Sequence, residues 1–322
     1  MLTNFFYSPK SLKEIENSKI KESLNKKNSY LWVKCTNPSH EEAKLIEEIF
    51  NIHPTTIEDI LSPQTRVKYE EFEEYTFLVF KSIKEIKENT IETFNISFIV
   101  GENFIISINE NHCETIEELS KHTKKVEHVL RRGEDYIMHY ILDKEVDKYL
   151  RIKSDCSEDL KLIEREFMED QSKEILKKIF SKELIFLELR QLSESITDLC
   201  LGLTKPADNY IHNDLIPYFR DIYDHIFKTT EGYKSMLGRM SGMKNMYTSI
   251  TSMKTNEVMR SLTIIMALMM PLTLITGFWG MNVKLPFQNN FYAPIYLAII
   301  MILLSGLMIW ISKKRGWILN GD

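Results

Sequence analysis

The chain has 322 residues, of which 43% are hydrophobic and 27% charged, and its formal net charge is −5. It is too polar overall for a many-span transporter and long enough for a sizeable domain outside the membrane. Basic residues cluster only at the edge of its apolar C-terminal runs, so nothing in the charge favours nucleic acid as a partner.

The first twelve residues lack the continuous apolar core of a secretory signal, so the large N-terminal domain is expected to stay in the cytoplasm. Short β-rich runs follow at 30–35, 75–83, 93–100 and 104–108, with Gly101-Glu102-Asn103 as a hairpin turn between the last two. Among them, 41–50 and 55–61 read as helices, the second entered through Pro54. These runs predict an α/β domain over 1–133. From Glu134 the pattern turns to long charged helical stretches as far as about 203, where Gly202 and Lys205-Pro206 mark a turn. Antiparallel helical arms are expected over 134–213 and the cytoplasmic part of a long stalk helix over 214–260. Cys35, Cys113, Cys156 and Cys200 lie far apart with no Cys-x-x-Cys pair, which suits reduced thiols used for packing.

Neither 261–283 nor 285–312 contains Asp, Glu, Lys or Arg. As an α-helix the run 262–279 rises about 27 Å, and 291–311 a little more, against a hydrocarbon core of roughly 30 Å. The expected layout is a first transmembrane helix with its exit at 261–283, an extracytoplasmic loop at 284–290, a second transmembrane helix at 291–312 and a basic tail at 313–322. Lys254 and Arg260 precede the first span and Lys313, Lys314 and Arg315 follow the second, whereas the loop holds only Lys284. That bias puts both termini in the cytoplasm of a multi-pass protein of the cell (inner) membrane.

Counting back from Gly280 in alternating steps of three and four gives Gly277, Thr273, Met270, Met266, Thr263, Met259 and Asn256. The series continues through Ser252, Ser249, Asn245, Gly242 and Gly238 to Ser235. Every member is small, polar or Met. Steps averaging about 3.5 residues keep one helix face turned to a common axis. A dry seam on that period fills with Leu, Ile or Val, whereas hydroxyls, amides, glycines and thioethers suit helices that surround something hydrated. Small residues on a membrane helix also promote close packing, but packing in lipid would not carry the series on to Ser235, beyond the span. Two helices per chain cannot enclose a wet path, so this reading requires an oligomer. A parallel register, Tyr233, Met236, Met240, Met243, Tyr247 and Ile250, is more apolar and suits packing against neighbouring helices.

The string Met270-Pro271-Leu272-Thr273, then Gly277-Phe278-Trp279-Gly280-Met281-Asn282, resembles the signature of the CorA family of magnesium channels. That family carries Gly-Met-Asn at the outer end of the first of two C-terminal helices and ends in a basic cytoplasmic tail. A second stretch, His53-Pro54 through Glu58-Asp59 to Lys68, Tyr75 and Phe77, is similar to its N-terminal regulatory segment, with Val67 where the family often has proline. A third, Pro217-Tyr218-Phe219-Arg220-Asp221-Ile222-Tyr223-Asp224-His225, resembles the start of its stalk helix. The likeness covers most of the chain.

The resemblance implies a funnel-shaped homopentamer among membrane lipid that conducts Mg²⁺ inward, with Co²⁺ and Ni²⁺ as further substrates. Mg²⁺ would be both cargo and regulator, with no organic cofactor. Asn282, held by the backbone around Gly280 and Met281, would bind the hydrated ion at the outer mouth. Met259, Leu262 and Met270 would form apolar constrictions able to dewet, Asn256 and Thr273 would be polar resting points, and Thr263, Met266 and Gly277 would share their face. Asn245 falls where a family pore ring can be acidic. Glu58 and Asp59 match the family's N-terminal acidic pair, and Asp221 the stalk carboxylate that faces it across a subunit boundary. Taken as unpaired, these carboxylates repel until cytoplasmic Mg²⁺ joins the subunits and closes the pore. One departure is that 283–291 holds no carboxylate, which weakens attraction of cations to the mouth.

Two alternatives stay open: a Zn²⁺ transporter of the same architecture, and a non-conducting scaffold tethered by its helical hairpin. His122 and His128 lack the i, i+4 spacing of a helical zinc pair, and the eight histidines read as structural or surface residues. No catalytic constellation stands out, so no enzymatic activity is expected.

Overall fold

The computed structural model describes residues 2–315 apart from positions 10, 25, 27, 88–89, 111–112, 206–209 and 284–290. The chain forms two compact units, Met1–Met243 and Lys244–Asp322.

The first unit is built on a seven-stranded sheet. Its strands are β1 (Leu2–Ser8), β2 (Ser11–Ile15), β3 (Tyr30–Thr36), β4 (Lys68–Glu71), β5 (Tyr75–Ile86), β6 (Ile91–Gly101) and β7 (Phe104–Asn109). Their order is β2-β1-β3-β7-β6-β5-β4. β3 and β7 run parallel and the other neighbours antiparallel. Helix α1 (Ile20–Leu24) follows β2, and α2 (His40–Phe50) and α3 (Pro54–Leu61) lie between β3 and β4. Ser39 closes a capping box with Glu42 at the start of α2, and His53 caps α3 with Pro54 in its first turn. Ala43, Ile46, Ile57 and Ile60 then bury one face of each helix against Val33, Phe77, Val79 and Ile106 of the sheet.

The four strands and two helices expected from sequence are present, each extended by one or more residues. The expected turn at Gly101-Glu102-Asn103 joins β6 to β7, with Asn103 left-handed at φ 68°. Strands β1, β2 and β4 were not anticipated. Asn4 interrupts the apolar pattern of β1, yet its buried Nδ2 donates to the Ile15 carbonyl at 3.2 Å and to Asn17 Oδ1 at 2.7 Å, while its Oδ1 has no partner among the described residues. β4 is a four-residue edge strand, Lys-Tyr-Glu-Glu, whose charges suit an edge and hide its pairing.

Two short helices, α4 (Glu114–Lys121) and α5 (Thr123–Leu130), lead to α6 (Asp135–Glu169). The long helical stretch read from 134 to about 203 is divided at Asp170, and Ser172 caps a separate α7 (Lys173–Leu203). Glu166 with Lys178 at 2.7 Å and Asp159 with Lys182 at 2.5 Å show that α6 and α7 run antiparallel. Glu145 fixes α6 to the sheet. Its carboxylate has no exposure and accepts from Ser82 of β5, from Thr115 of α4 at 2.5 Å and from Lys148 at 2.8 Å.

Helix α8 (Ile216–Trp279) begins in the first unit and continues into the second. Tyr233, Met236, Met240 and Met243, the register expected to be dry, are buried at 0%, 4%, 0% and 8% exposure. Arg239 makes a two-pronged pair with Glu164 of α6, and Thr230 meets Thr197 of α7 at 3.1 Å. The helices covering this register thus belong to the same chain. In the second unit α8 is continuous through Pro271, and α9 (Ala293–Lys314) follows.

Replacing Glu145 with Ala strands Lys148 and the hydroxyls of Ser82 and Thr115 together. A loss of about 3 kcal/mol is expected, read as a lower denaturation midpoint of the full-length protein, with most of it restored by Glu145→Gln.

Candidate functional site

Positions Ile264, Leu268, Pro271, Leu272, Ile275 and Trp279 are the partly buried ones on the apolar part of α8, and Leu297, Met301, Leu304, Ser305 and Met308 those of α9. This is the pattern left when two helices cover one another along a single strip. Asn256, Met259, Thr263, Met266, Met270, Thr273 and Gly277 are all exposed. At about 100° per residue the centres of the covered and exposed sets lie roughly 160° apart on α8. The face singled out from sequence therefore lies opposite the partly buried strip of α8. Leu262 and Asn245 are exposed as well, Leu262 nearer the edge of that face. An open groove of about 740 Å³ runs along it past Met266, Met270, Thr273, Gly277 and Met281.

The hydroxyls on this face are not free donors. Thr263 gives its hydrogen to the Met259 carbonyl at 2.8 Å and Thr273 to Met269 at 2.9 Å, and lower down Ser249 donates to Asn245 at 3.0 Å. Each of these hydroxyl oxygens then presents lone pairs outward, while the exposed Asn256 amide can both accept and donate. Gly238, Gly242 and Gly277 would meet nothing within 4 Å if a Cβ were added, so the face is open at all three.

At the end of α8 the Gly280 N–H reaches the Thr276 carbonyl at 2.9 Å and the Met281 N–H reaches Phe278 at 3.4 Å, closing the helix in a turn. A Cβ on Gly280 would press on the Thr276 oxygen at 3.2 Å. Gly280, Met281 and Asn282 are exposed. The loop residues Lys284, Pro286 and Gln288 and the tail 316–322 lie outside the described residues.

The second candidate site is in the first unit. His53, Asp59, Lys68, Tyr75 and Phe77, scattered over twenty-five positions, converge. The Tyr75 hydroxyl takes the His53 N–H at 3.0 Å and meets Thr56 Oγ1 at 2.9 Å. Lys68 lies over the Phe77 ring at 5.2 Å and pairs with Asp59 and, at 3.0 Å, with Glu70. Burial lowers the Lys68 pKa, but the hydrogen bonds to Asp59 and Glu70 raise it further, so the ammonium stays charged. Asp59 is therefore not the unpaired carboxylate expected from sequence: β4, the strand the sequence hid, brings Lys68 onto it. Glu58 is exposed. Asp221 on α8 is 68% exposed in its side chain, with His225 Nε2 at 3.9 Å.

His139 lies near Asp221, its ring 5.4 Å from Tyr218 and 5.7 Å from Phe219 between centroids. Burial holds its pKa below the ordinary value, against Asp143 and Asp221, which raise it. A third cluster, Glu134, Asp135 and His212, was missed because 77 positions separate Asp135 from His212. A lone acidic pair and one histidine carried no spacing signal.

The two apolar helices after a large polar domain define a membrane protein with two spans. Residues 27–314 match the model of the CorA-like Mg²⁺ transporter protein family, and the chain belongs to that family, which is one of transporters and not of enzymes. It is similar to the cobalt/magnesium transport protein CorA of Thermotoga maritima, 28% identical over 319 residues, covering 97% of this chain and 91% of that one. It is also similar to the putative metal ion transporter YfjQ of Bacillus subtilis, 26% identical over 293 residues and 90% of each chain. Its fold matches the complete structure of the CorA magnesium transporter from Methanocaldococcus jannaschii with a TM-score of 0.78, covering 99% of both chains at 19% identity. The family read from Gly-Met-Asn and the architecture of α/β domain, long helix and two C-terminal spans are thus borne out.

Because His139 is held neutral, its contribution to stability is complete above its unfolded pKa of about 6.5 and is lost as pH falls through the lower folded value. His139→Phe keeps the aromatic contacts. Between pH 7.5 and 5.5 its melting temperature is expected to fall by less than that of the unmodified protein, in a thermal scan of both.

Proposed function

We propose that the protein is a homopentameric channel admitting Mg²⁺, with Co²⁺ and Ni²⁺ as further substrates, in the cell (inner) membrane with both termini cytoplasmic. In this reading the spans are 261–283 and 291–312, joined by the loop 284–290, and lipid covers their outer sides. The observation that carries it is the exposed face of α8 opposite its partly buried strip, where Thr263 and Thr273 present lone pairs beside the Asn256 amide. A hydrated Mg²⁺ directs its water hydrogens outward and parts with those waters reluctantly. A wall of lone pairs matches that shell at the cost of no dehydration. Five copies of α8 around an axis supply such a wall, with Thr263, Thr273 and Asn256 as acceptor rings and the Asn282 amide oxygens at the outer mouth. Rings of Met259, Leu262 and Met270, with Met266 between, act as the constrictions that dewet when the pore is closed, and Asn245 forms a neutral inner ring. Gly277 keeps the bore wide, and Gly280 and Met281 set the turn that aims Asn282. The membrane potential drives entry with about 4.6 kcal/mol for a divalent charge at 100 mV, so no organic cofactor is needed.

Glu58 and Asp59 of one subunit and Asp221 of its neighbour bind cytoplasmic Mg²⁺ and hold the closed state. Since Lys68 already occupies Asp59, the incoming cation competes with an internal one, which sets the threshold higher than a bare carboxylate pair would.

Uptake of Mg²⁺ into liposomes carrying the purified protein and a trapped dye tests the pore. Asn282→Ala is expected to abolish it, and full activity in that variant rules out the assigned mouth. Thr273→Val, which keeps the shape and removes the acceptor, is expected to slow uptake about tenfold, the worth of roughly 1.4 kcal/mol per lost set of contacts, whereas Thr273→Ser stays close to the unmodified rate. For the regulatory site, exchanging both Asp59 and Asp221 for Lys is expected to give a closed channel indifferent to internal Mg²⁺, and unchanged Mg²⁺ inhibition in a patch recording counts against it.

A further inference from the structure

Glu134 and Asp135, at the start of α6, are 2% and 0% exposed, and Glu134 Oε2 and Asp135 Oδ1 have no hydrogen-bond partner among the described residues. Two buried carboxylates side by side with orphaned oxygens are costly unless a cation meets them. The charge that reaches them comes from His212, just ahead of α8, whose backbone N–H donates to Asp135 Oδ2 at 2.8 Å and whose Nδ1 lies 3.0 Å from the same oxygen. The ring is 56% exposed, so the cluster opens to solvent on that side. Gly133 has φ +128°, and a Cβ on it would stand 2.7 Å from Asp135 Oδ1 and 3.8 Å from His212 Nδ1. The residue type that leaves this space clear is also the one its backbone demands. One donor atom from each of the three side chains lies within 4.8 Å of the others.

We propose that Glu134, Asp135 and His212 form a binding site for a divalent transition metal of the Zn²⁺ or Co²⁺ type, distinct from the ion pathway and from the carboxylates Glu58, Asp59 and Asp221. One imidazole nitrogen and two carboxylate oxygens, with water on the open side, are a ligand set that Zn²⁺ accepts in four-coordinate geometry. Mg²⁺ favours oxygen alone and octahedral water, so the nitrogen selects against it. Donors around a four-coordinate Zn²⁺ stand about 3.4 Å apart, so the cluster contracts by roughly an ångström on binding. The imidazole enters neutral and releases the proton it shares with Asp135 to solvent. Since His212 immediately precedes the short turn Asn213–Leu215 that opens into α8, the metal ties the beginning of that helix to the beginning of α6. The site is independent of whether the chain conducts.

The test uses tag-free full-length protein in detergent, stripped with chelator and then supplied with Zn²⁺ in a large excess of Mg²⁺ that fills oxygen-only sites. One Zn²⁺ per chain is expected to remain bound and to raise the melting temperature. Glu134→Gln, nearly isosteric, is expected to weaken binding at least tenfold, and His212→Ala to abolish both the retained metal and the thermal shift. With Co²⁺ as the probe, His212→Cys is expected to bind and add a thiolate-to-metal absorption band, which places the metal on that side chain even if His212→Ala folds poorly. Retention of Zn²⁺ by His212→Ala at the level of the unmodified chain, displacement of Zn²⁺ by Mg²⁺, or absence of the new band in His212→Cys overturns the assignment.

Discussion

A long helix in a two-span protein has one side that its own partner helix can cover and one that it cannot. On α8 the covered side is Ile264, Leu268, Leu272, Ile275 and Trp279, and the opposite side carries Asn256, Thr263, Thr273 and Gly277 among methionines. Lipid cannot hydrogen-bond an exposed amide, and it gains little from glycine, so this side calls for further copies of the same helix. The proposed assembly, its bore and the chemistry of its wall all rest on that one asymmetry. The threonines also show how a polar wall is tolerated in a membrane: with the hydroxyl hydrogen returned to the backbone, the helix carries little unsatisfied donor into lipid before assembly.

The same helix is held differently before Lys244. There Tyr233, Met236 and Met240 are sealed by α6 and α7, and Tyr218 and Phe219 surround His139. Asp221 stands exposed beside this aromatic group, where the proposed contact with another subunit would need it. Asp59 is similarly set: α3 is locked through Tyr75 and His53, and Lys68 approaches from the edge strand. In the proposed regulation an incoming cation therefore competes with a fixed ammonium, which the placement of β4 brings onto Asp59.

How much could be read from sequence depended on whether the signal was periodic. The spans, the exposed face of α8 and the buried register beginning at Tyr233 were legible because each repeats along one helix, and Gly-Met-Asn was legible as a motif. The helices α2 and α3 and the strands β3, β5, β6 and β7 were legible from apolar runs bounded by turn residues. What failed was local exception and long-range meeting. β1 hides a buried Asn4 whose Nδ2 donates to Ile15 and Asn17 further along the chain, and β4 looks like a charged loop. The pairing of Lys68 with Asp59 and the meeting of Asp135 with His212 depend on where the chain returns, and no window of sequence contains both partners.

The four cysteines bear on how the exposed face of α8 can be interrogated. All are buried and free, and burial pushes each thiol up to about 12. At neutral pH almost none of their sulfur is thiolate, the form that reacts. A cysteine introduced at any exposed position of α8 would therefore be the one readily alkylated group on the molecule, with no need to remove the native ones. The rate at which a small charged reagent reached it, from either side of the membrane, would report the water accessibility of that face turn by turn.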